Sequence, residues 1–111
     1  MRNYYDEFVK LAMQLCSKDD YEDMQKVRKN NRAMNKLLLL RREMQKNECQ
    51  DILFKLLHHE HERVRMSAAA ACLEMNVYAL EATEVLRNIM QLSGDVTYRF
   101  NAKMLLQKYN L

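Results

Sequence analysis

The chain has 111 residues, 49% of them hydrophobic and 30% charged, a balance that excludes a disordered segment and leaves room for one packed domain. Its single glycine, Gly94, and its lack of proline exclude a P-loop, a Rossmann fingerprint and a kinase-type glycine loop, and disfavour a chain of β-hairpins. The net charge is +3, from 18 basic and 15 acidic side chains, a modest excess whose meaning depends on where it lies.

Tyr5, Phe8, Ala12 and Leu15 recur at the three-and-four spacing of an amphipathic helix. Ser17-Lys18-Asp19-Asp20 breaks that pattern, and Asp19 or Asp20 can cap a second, long helix from about Tyr21 to Gln45, with Glu22 and Asp23 in its first turn. Its apolar stripe reads Met24, Val27, Asn31, Met34 and Leu38, with Leu37 to Leu40 broadening the face and Asn47 as the stop. Asn31 interrupts this stripe, as a buried amide that fixes register or as a contact on a binding surface.

Cys49, Ile52, Leu53, Leu56 and Leu57 predict a short third helix, followed by the polar turn His58-His59-Glu60-His61-Glu62. Val64, Ala68, Ala71, Cys72 and Met75 line a fourth helix that stops near Asn76, and Ala79, Ala82, Val85, Leu86 and Ile89 line a fifth. Ser93-Gly94 turns the chain, and Asp95 can cap a sixth helix bearing Ala102, Leu105, Leu106 and Tyr109. Short connections between helices predict antiparallel neighbours.

The positive charge is concentrated. Residues 21–46 hold eight basic and three acidic side chains, while residues 1–20 and 47–111 are each net negative by one. Such a segment is either a solvated helix face or a surface for an anionic partner, nucleic acid or an acidic protein. Arg28, Lys29, Arg32 and Lys36 are the candidate partner-binding residues. Few aromatics interleave with them, which argues against a stacking platform for single strands.

Val64-Arg65-x-x-Ala68 and Tyr98-Arg99-x-x-Ala102 align at an offset of 34 residues, which also superposes Cys72 on Leu106 and Met75 on Tyr109. A weaker copy is Val27-Arg28-x-x-Asn31. In this motif the apolar residue and the small residue one turn later face a neighbouring helix, and the arginine can bond an acid on the adjacent repeat. An offset in the thirties is that of a helix-pair solenoid.

Val64-Arg65-Met66-Ser67-Ala68-Ala69 resembles the V-R-x-x-A-A signature of HEAT repeats, and Asp95 stands where those repeats favour aspartate, with His61 in the equivalent place before Val64. Residues from about 21 to 108 also resemble a small bacterial family of uncharacterised HEAT-like domains. The resemblance rests on Lys29-Asn30-Asn31-Arg32, Leu56-Leu57-His58-His59, the V-R-x-x-A-A run, Ala82 to Leu86, and Gly94 with Ala102 and Leu105. It implies a single all-α domain over 1–111, a short right-handed α-solenoid of about three HEAT-like helix pairs. Some members of that family are thought to be immunity proteins beside polymorphic toxins, so the implied function is protein binding.

Other chemistry finds less support. The cluster His58 to Glu62 has metal-ligating residue types but no H-E-x-x-H and no cysteine to complete a set, so a solvated turn is expected and no metal or cofactor. Ser67 and Cys72 have no histidine–acid pair arranged in sequence around them, and no enzymatic activity is expected. Eight internal methionines are read as core filler rather than as a promiscuous groove. Cys16, Cys49 and Cys72 are odd in number with no C-x-x-C, the pattern of buried free thiols in a reducing cytoplasm. The start lacks the apolar core of a signal peptide, and the longest small-or-apolar run, Ala68 to Leu73, is too short to span a membrane. The expected partner is thus a protein, with nucleic acid and a second copy of the chain as the alternatives.

Overall fold

The computed structural model describes the backbone of residues 3–15 and 24–111 and the side chains of 3–15 and 31–111. These residues form α1 (Tyr4–Met13), α2 (Met24–Lys46), α3 (Asp51–Leu56), α4 (Glu62–Met75), α5 (Ala79–Leu92) and α6 (Val96–Lys108), and no strand occurs among them. The expected caps at Asp19 and Asp20, the first turn at Glu22 and Asp23, and Cys16 lie outside the described residues, as do the side chains of Met24, Val27, Arg28 and Lys29.

Asn3 opens α1 by accepting a hydrogen bond from the Asp6 backbone N–H at 3.1 Å while its amide donates to the Asp6 carboxylate at 2.8 Å. Phe8 and Ala12 are buried and Tyr5 and Leu15 half-buried, which is the expected stripe. Helix α2 departs from expectation. Its buried stripe is Ala33, Leu37, Leu40, Arg41 and Met44, whereas Asn31 and Met34 are exposed and Leu38 only half-buried. The leucines from 37 to 40 put an apolar residue at every phase, so neighbours rather than periodicity select the face, and α1 is the helix packed along it. The helix ends at Lys46, so Asn47 is the stop as expected, but the left-handed turn falls one residue later. Glu48, not Asn47, takes the left-handed conformation at φ 56°, and the Cys49 N–H reaches back to the Met44 carbonyl at 2.8 Å in a Schellman arrangement. Cys49 therefore sits half-buried in the connection, not in a helix.

The same closure ends α4, with Asn76 at φ 56° and the Val77 N–H on the Cys72 carbonyl at 2.9 Å. Tyr78 follows at φ 49°, which costs a bulky side chain roughly 1–2 kcal/mol. Its ring packs against Phe54 at 5.2 Å between centroids, a contact that offsets part of that cost.

Helix α4 is the centre of the molecule, packed against α1 and α3 on one side and α5 and α6 on the other. Val64, Met66, Ser67, Ala68, Ala69, Ala71 and Cys72 are all buried there, and the small residues let the neighbouring backbones approach. Ala82, Leu86 and Ile89 of α5 and Ala102 and Leu106 of α6 complete the core, each large apolar side chain contributing roughly 1.5–3 kcal/mol. At the 34-residue offset Ala68 and Ala102 are both fully buried, Cys72 and Leu106 both buried, and Met75 and Tyr109 both half-buried, whereas Val64 is buried and Tyr98 only half-buried. The third copy fails at Asn31, which is exposed where the other two have a buried alanine.

Arg65 does not reach an acid on a neighbouring repeat. Its Nη1 donates to the backbone carbonyls of His59 and Glu60 at 2.8 and 2.9 Å, closing the turn that precedes its own helix. That turn supplies better acceptors than a distant carboxylate, because its carbonyls have no helical donor. His61 and Asp95, equivalent by the 34-residue offset, both serve as N-caps. The His61 Nδ1 accepts from the Arg63 N–H at 3.1 Å, and the Asp95 carboxylate accepts from the Thr97 and Tyr98 N–H groups at 2.8 and 3.2 Å. Among the described residues no helix is long and apolar enough to cross a membrane.

Candidate functional site

The four candidate residues all fall on the helical backbone of α2, one turn apart in the pairs Arg28–Arg32 and Arg32–Lys36. The side chains of Arg28 and Lys29 lie outside the described residues. Arg32 and Lys36 are exposed, as are Arg42 and Lys46 further along, and none of the four makes an ion pair among the described residues. Lys36 sits at the edge of a groove of about 440 Å³ between α1 and α2, with Glu7, Lys10, Leu39 and Glu43. Arg32 is not part of it, so the structure brings the four onto one helix but not into one pocket.

The buried Arg41 escaped the sequence reading, although it lies one turn beyond Leu37 on the stripe that is in fact buried. Its guanidinium joins α2 to α4, donating from Nη1 to the Glu74 carboxylate at 3.2 Å and from Nη2 to the Ser67 carbonyl at 3.3 Å. Nε is buried without a hydrogen-bond partner. Burial pulls this guanidinium below its ordinary range, and the charge of Glu74 pushes it back up.

Beside Arg41 runs a second groove, of about 580 Å³, formed by α2, α4 and α6. Met34 and Met104 form its walls at 37% and 48% exposure, Met66 and Ala70 its floor, and Lys108 one end. Of the methionines expected to be core filler, Met13, Met34 and Met104 are surface residues, the last two because α4 presents small side chains between two helices bearing long ones.

The three histidines each hydrogen-bond nearby backbone through Nδ1. His58 Nδ1 is 2.9 Å from the Phe54 carbonyl, His59 Nδ1 accepts from the His61 N–H at 3.0 Å, and His61 Nδ1 caps α4. The His58 ring thus spends one nitrogen on the end of α3 and the other two rings spend one each on the backbone of the turn and of α4, and no group of three or more His, Cys, Asp or Glu among the described residues is arranged to hold a metal. The turn borders a groove of about 680 Å³ whose wall includes Glu60, Glu62, Glu81 and Glu84. Cys72 is fully buried, and its thiol is pushed up to about 12 by burial and then by the charge of Glu81, with Arg41 opposing. That is the direction opposite to an activated nucleophile.

Neither the comparison with curated proteins nor that with solved structures gives a match. A family model does match, over residues 6–110, which is nearly the whole chain. The chain belongs to the family described as a domain of unknown function, DUF2019.

Proposed function

We propose that the chain is a non-enzymatic protein-binding module of HEAT-like helix pairs that engages an acidic protein partner through α2. The observation that carries this reading is the row of exposed α2 cations, Arg32, Lys36, Arg42 and Lys46, without ion pairs among the described residues. Cations that support only their own helix usually find carboxylates three or four residues away, and α2 from residue 31 onward has Glu43 alone. Opposite charge across an interface speeds encounter and selects the partner. Within this class the partner is a bacterial toxin and the mechanism occlusion: the helical surface covers the toxin's active face, with Arg28, Arg32 and Lys36 steering the approach. A net basic chain fits an acidic face better than the nucleic-acid-binding face of a nuclease. The free thiols suit the cytoplasm as its place of action.

The same cations support a second reading, binding to nucleic acid. Tagged protein recovered from its native cell at moderate salt, with and without nuclease, separates the two. One stoichiometric protein that survives nuclease and is lost on Arg28→Glu, Lys29→Glu and Arg32→Glu together supports the module. Partners lost on nuclease treatment, with affinity falling steeply as salt rises, support nucleic acid instead.

A further inference from the structure

We infer that the groove between α2, α4 and α6 is a docking site for an amphipathic helix of a partner protein that carries carboxylates beside its apolar stripe. The inference rests on the protein-binding reading and adds to it the surface used and the chemistry of the occupant.

Three observations converge on that occupant. The lining is chiefly apolar and methionine-rich, with the small Ser67 and Ala70 of α4 lying between exposed methionines of α2 and α6. Flexible thioethers accommodate a ridge of leucine or phenylalanine side chains, and an apolar groove bordered by helices is a surface that can receive another helix. The second observation is charge. The lining holds two basic side chains, Arg41 of α2 and Lys108 of α6, and no acidic one, and α6 as a whole carries Arg99, Lys103 and Lys108 without an acid. The third is Arg41, at the base of the groove. Its guanidinium has one carboxylate partner, Glu74, which is itself more than half exposed, and its Nε has none. A cation beneath an apolar surface attracts a carboxylate more strongly than one in water, because the medium between them screens less.

The same observations disfavour the other occupants. A second copy would set one basic lining against another. Its exposed leucines on α5, Leu80 and Leu92, stand at opposite ends of that helix and make no continuous stripe. Nucleic acid would have to lay its phosphates across Met34, Met66, Ala70 and Met104, and of the four donors in the lining Arg41 and Ser67 are buried, which leaves Asn101 and Lys108.

The test follows the methionine methyl resonances of the full chain, ¹³C-labelled at methionine, during titration with a synthetic helical peptide. The probe has leucine along one face and glutamate on both flanks, and its control has lysine in place of glutamate. Saturable shifts of the Met34 and Met104 methyls with the glutamate peptide, and none with the lysine peptide, are expected. Met104→Glu should weaken the complex about tenfold or more, as loss of a central apolar anchor does. Lys108→Glu should weaken it by a smaller factor that shrinks as salt is raised. Both residues are exposed, so an unchanged helical circular dichroism spectrum keeps the comparison valid.

Equal binding of the two peptides, or no methyl shift with either, overturns the inference. So do methyl shifts that grow with protein concentration alone, which identify a second copy, and shifts of the same methyls by a single-stranded oligonucleotide. A native partner lost on Arg32→Glu with Lys36→Glu but retained by Met104→Glu sinks the groove and keeps the module. Absence of any native protein partner sinks the module itself.

Discussion

Val64-Arg65-x-x-Ala68 on α4 and Tyr98-Arg99-x-x-Ala102 on α6 stand in the same register, yet the residue after each alanine is treated differently. Ala69 is fully buried, while its counterpart Lys103 is exposed. Met66 is 8% exposed and its counterpart Phe100 is 60% exposed. Two helices with one signature differ because α4 is covered on both sides, by α1 and α3 and by α5 and α6, and α6 only on the side of α4 and α5. The alanine of the motif is therefore buried in both helices, and the number of neighbouring helices sets the rest. An apolar residue on the outer side of α6 is then free to serve binding, and the same residue on α4 is not.

The largest effect that would break this comparison is a charge at the shared position. Ala69→Lys places an ammonium in a fully buried site, at a cost of roughly 3–5 kcal/mol. Removing the charge from the other side, Lys103→Ala, should change stability by less than about 0.5 kcal/mol. Urea unfolding of the two variants measures both. Equal costs would mean that α6 is covered in solution as fully as α4.

Cys72 and Leu106 form the next pair, and Cys72 adds a titration. An unfolded thiol loses its proton near about pH 8.5, whereas in the native chain Cys72 holds its proton up to about 12. Between those values the native state binds more protons than the unfolded one, so this group's contribution is complete below the unfolded value. It declines as pH rises and is gone once the folded value is passed. Unfolding free energies from pH 8 to 11 should fall less steeply for Cys72→Ala than for the parent. Identical slopes would refute the burial argument, and Tyr and Lys titrations cancel because both chains carry them.

A smaller effect separates the two caps. His61→Ala removes one acceptor from the first turn of α4, and Asp95→Ala removes two hydrogen bonds and a favourable negative charge from α6. Both should cost about 1 kcal/mol, with Asp95 the larger. His61→Asp should be stabilising, because it places the charged acceptor where the helix dipole favours it. A loss of stability in that variant would show that the His61 ring matters for its edge contact with Tyr98, 6.4 Å between centroids, more than for its cap.

Most helix boundaries were legible because the polar turn at residues 58–62 and the cap at Asp95 punctuate a clear period, and the core stripes of α4, α5 and α6 followed from Ala, Val and Leu at that period. The stripe of α2 was not legible. Four consecutive leucines carry no phase information, and the true face includes an arginine that pattern reading assigns to solvent. Arg32 and Lys36 could be read as exposed, but the groove beside Arg41 could not. It is made by three helices whose methionines are far apart in sequence, and only packing decides which of them reach the surface. The left-handed Tyr78 was equally hidden, since nothing in its residue type favours that conformation.

The smallest effect is also the one that ties stability to function. Phe100→Gln replaces an aromatic ring that is 60% exposed and should change stability by less than about 0.5 kcal/mol. Met66→Gln, at the matching position on α4, puts an amide into a site that is 92% covered, and it should cost roughly 1–3 kcal/mol for the donor and acceptor left unsatisfied. If the Phe100 variant costs as much as the Met66 variant and lowers an oligomer to a monomer in light scattering, a second copy covers α6 and the comparison between the helices dissolves. If it costs nothing and the protein stays monomeric, a large apolar side chain stands in water at no benefit to the fold. Val96, Phe100 and Met104, exposed at four-residue spacing, would then form one apolar stripe along α6, and that stripe is the surface on which the proposed partner binding can be tested.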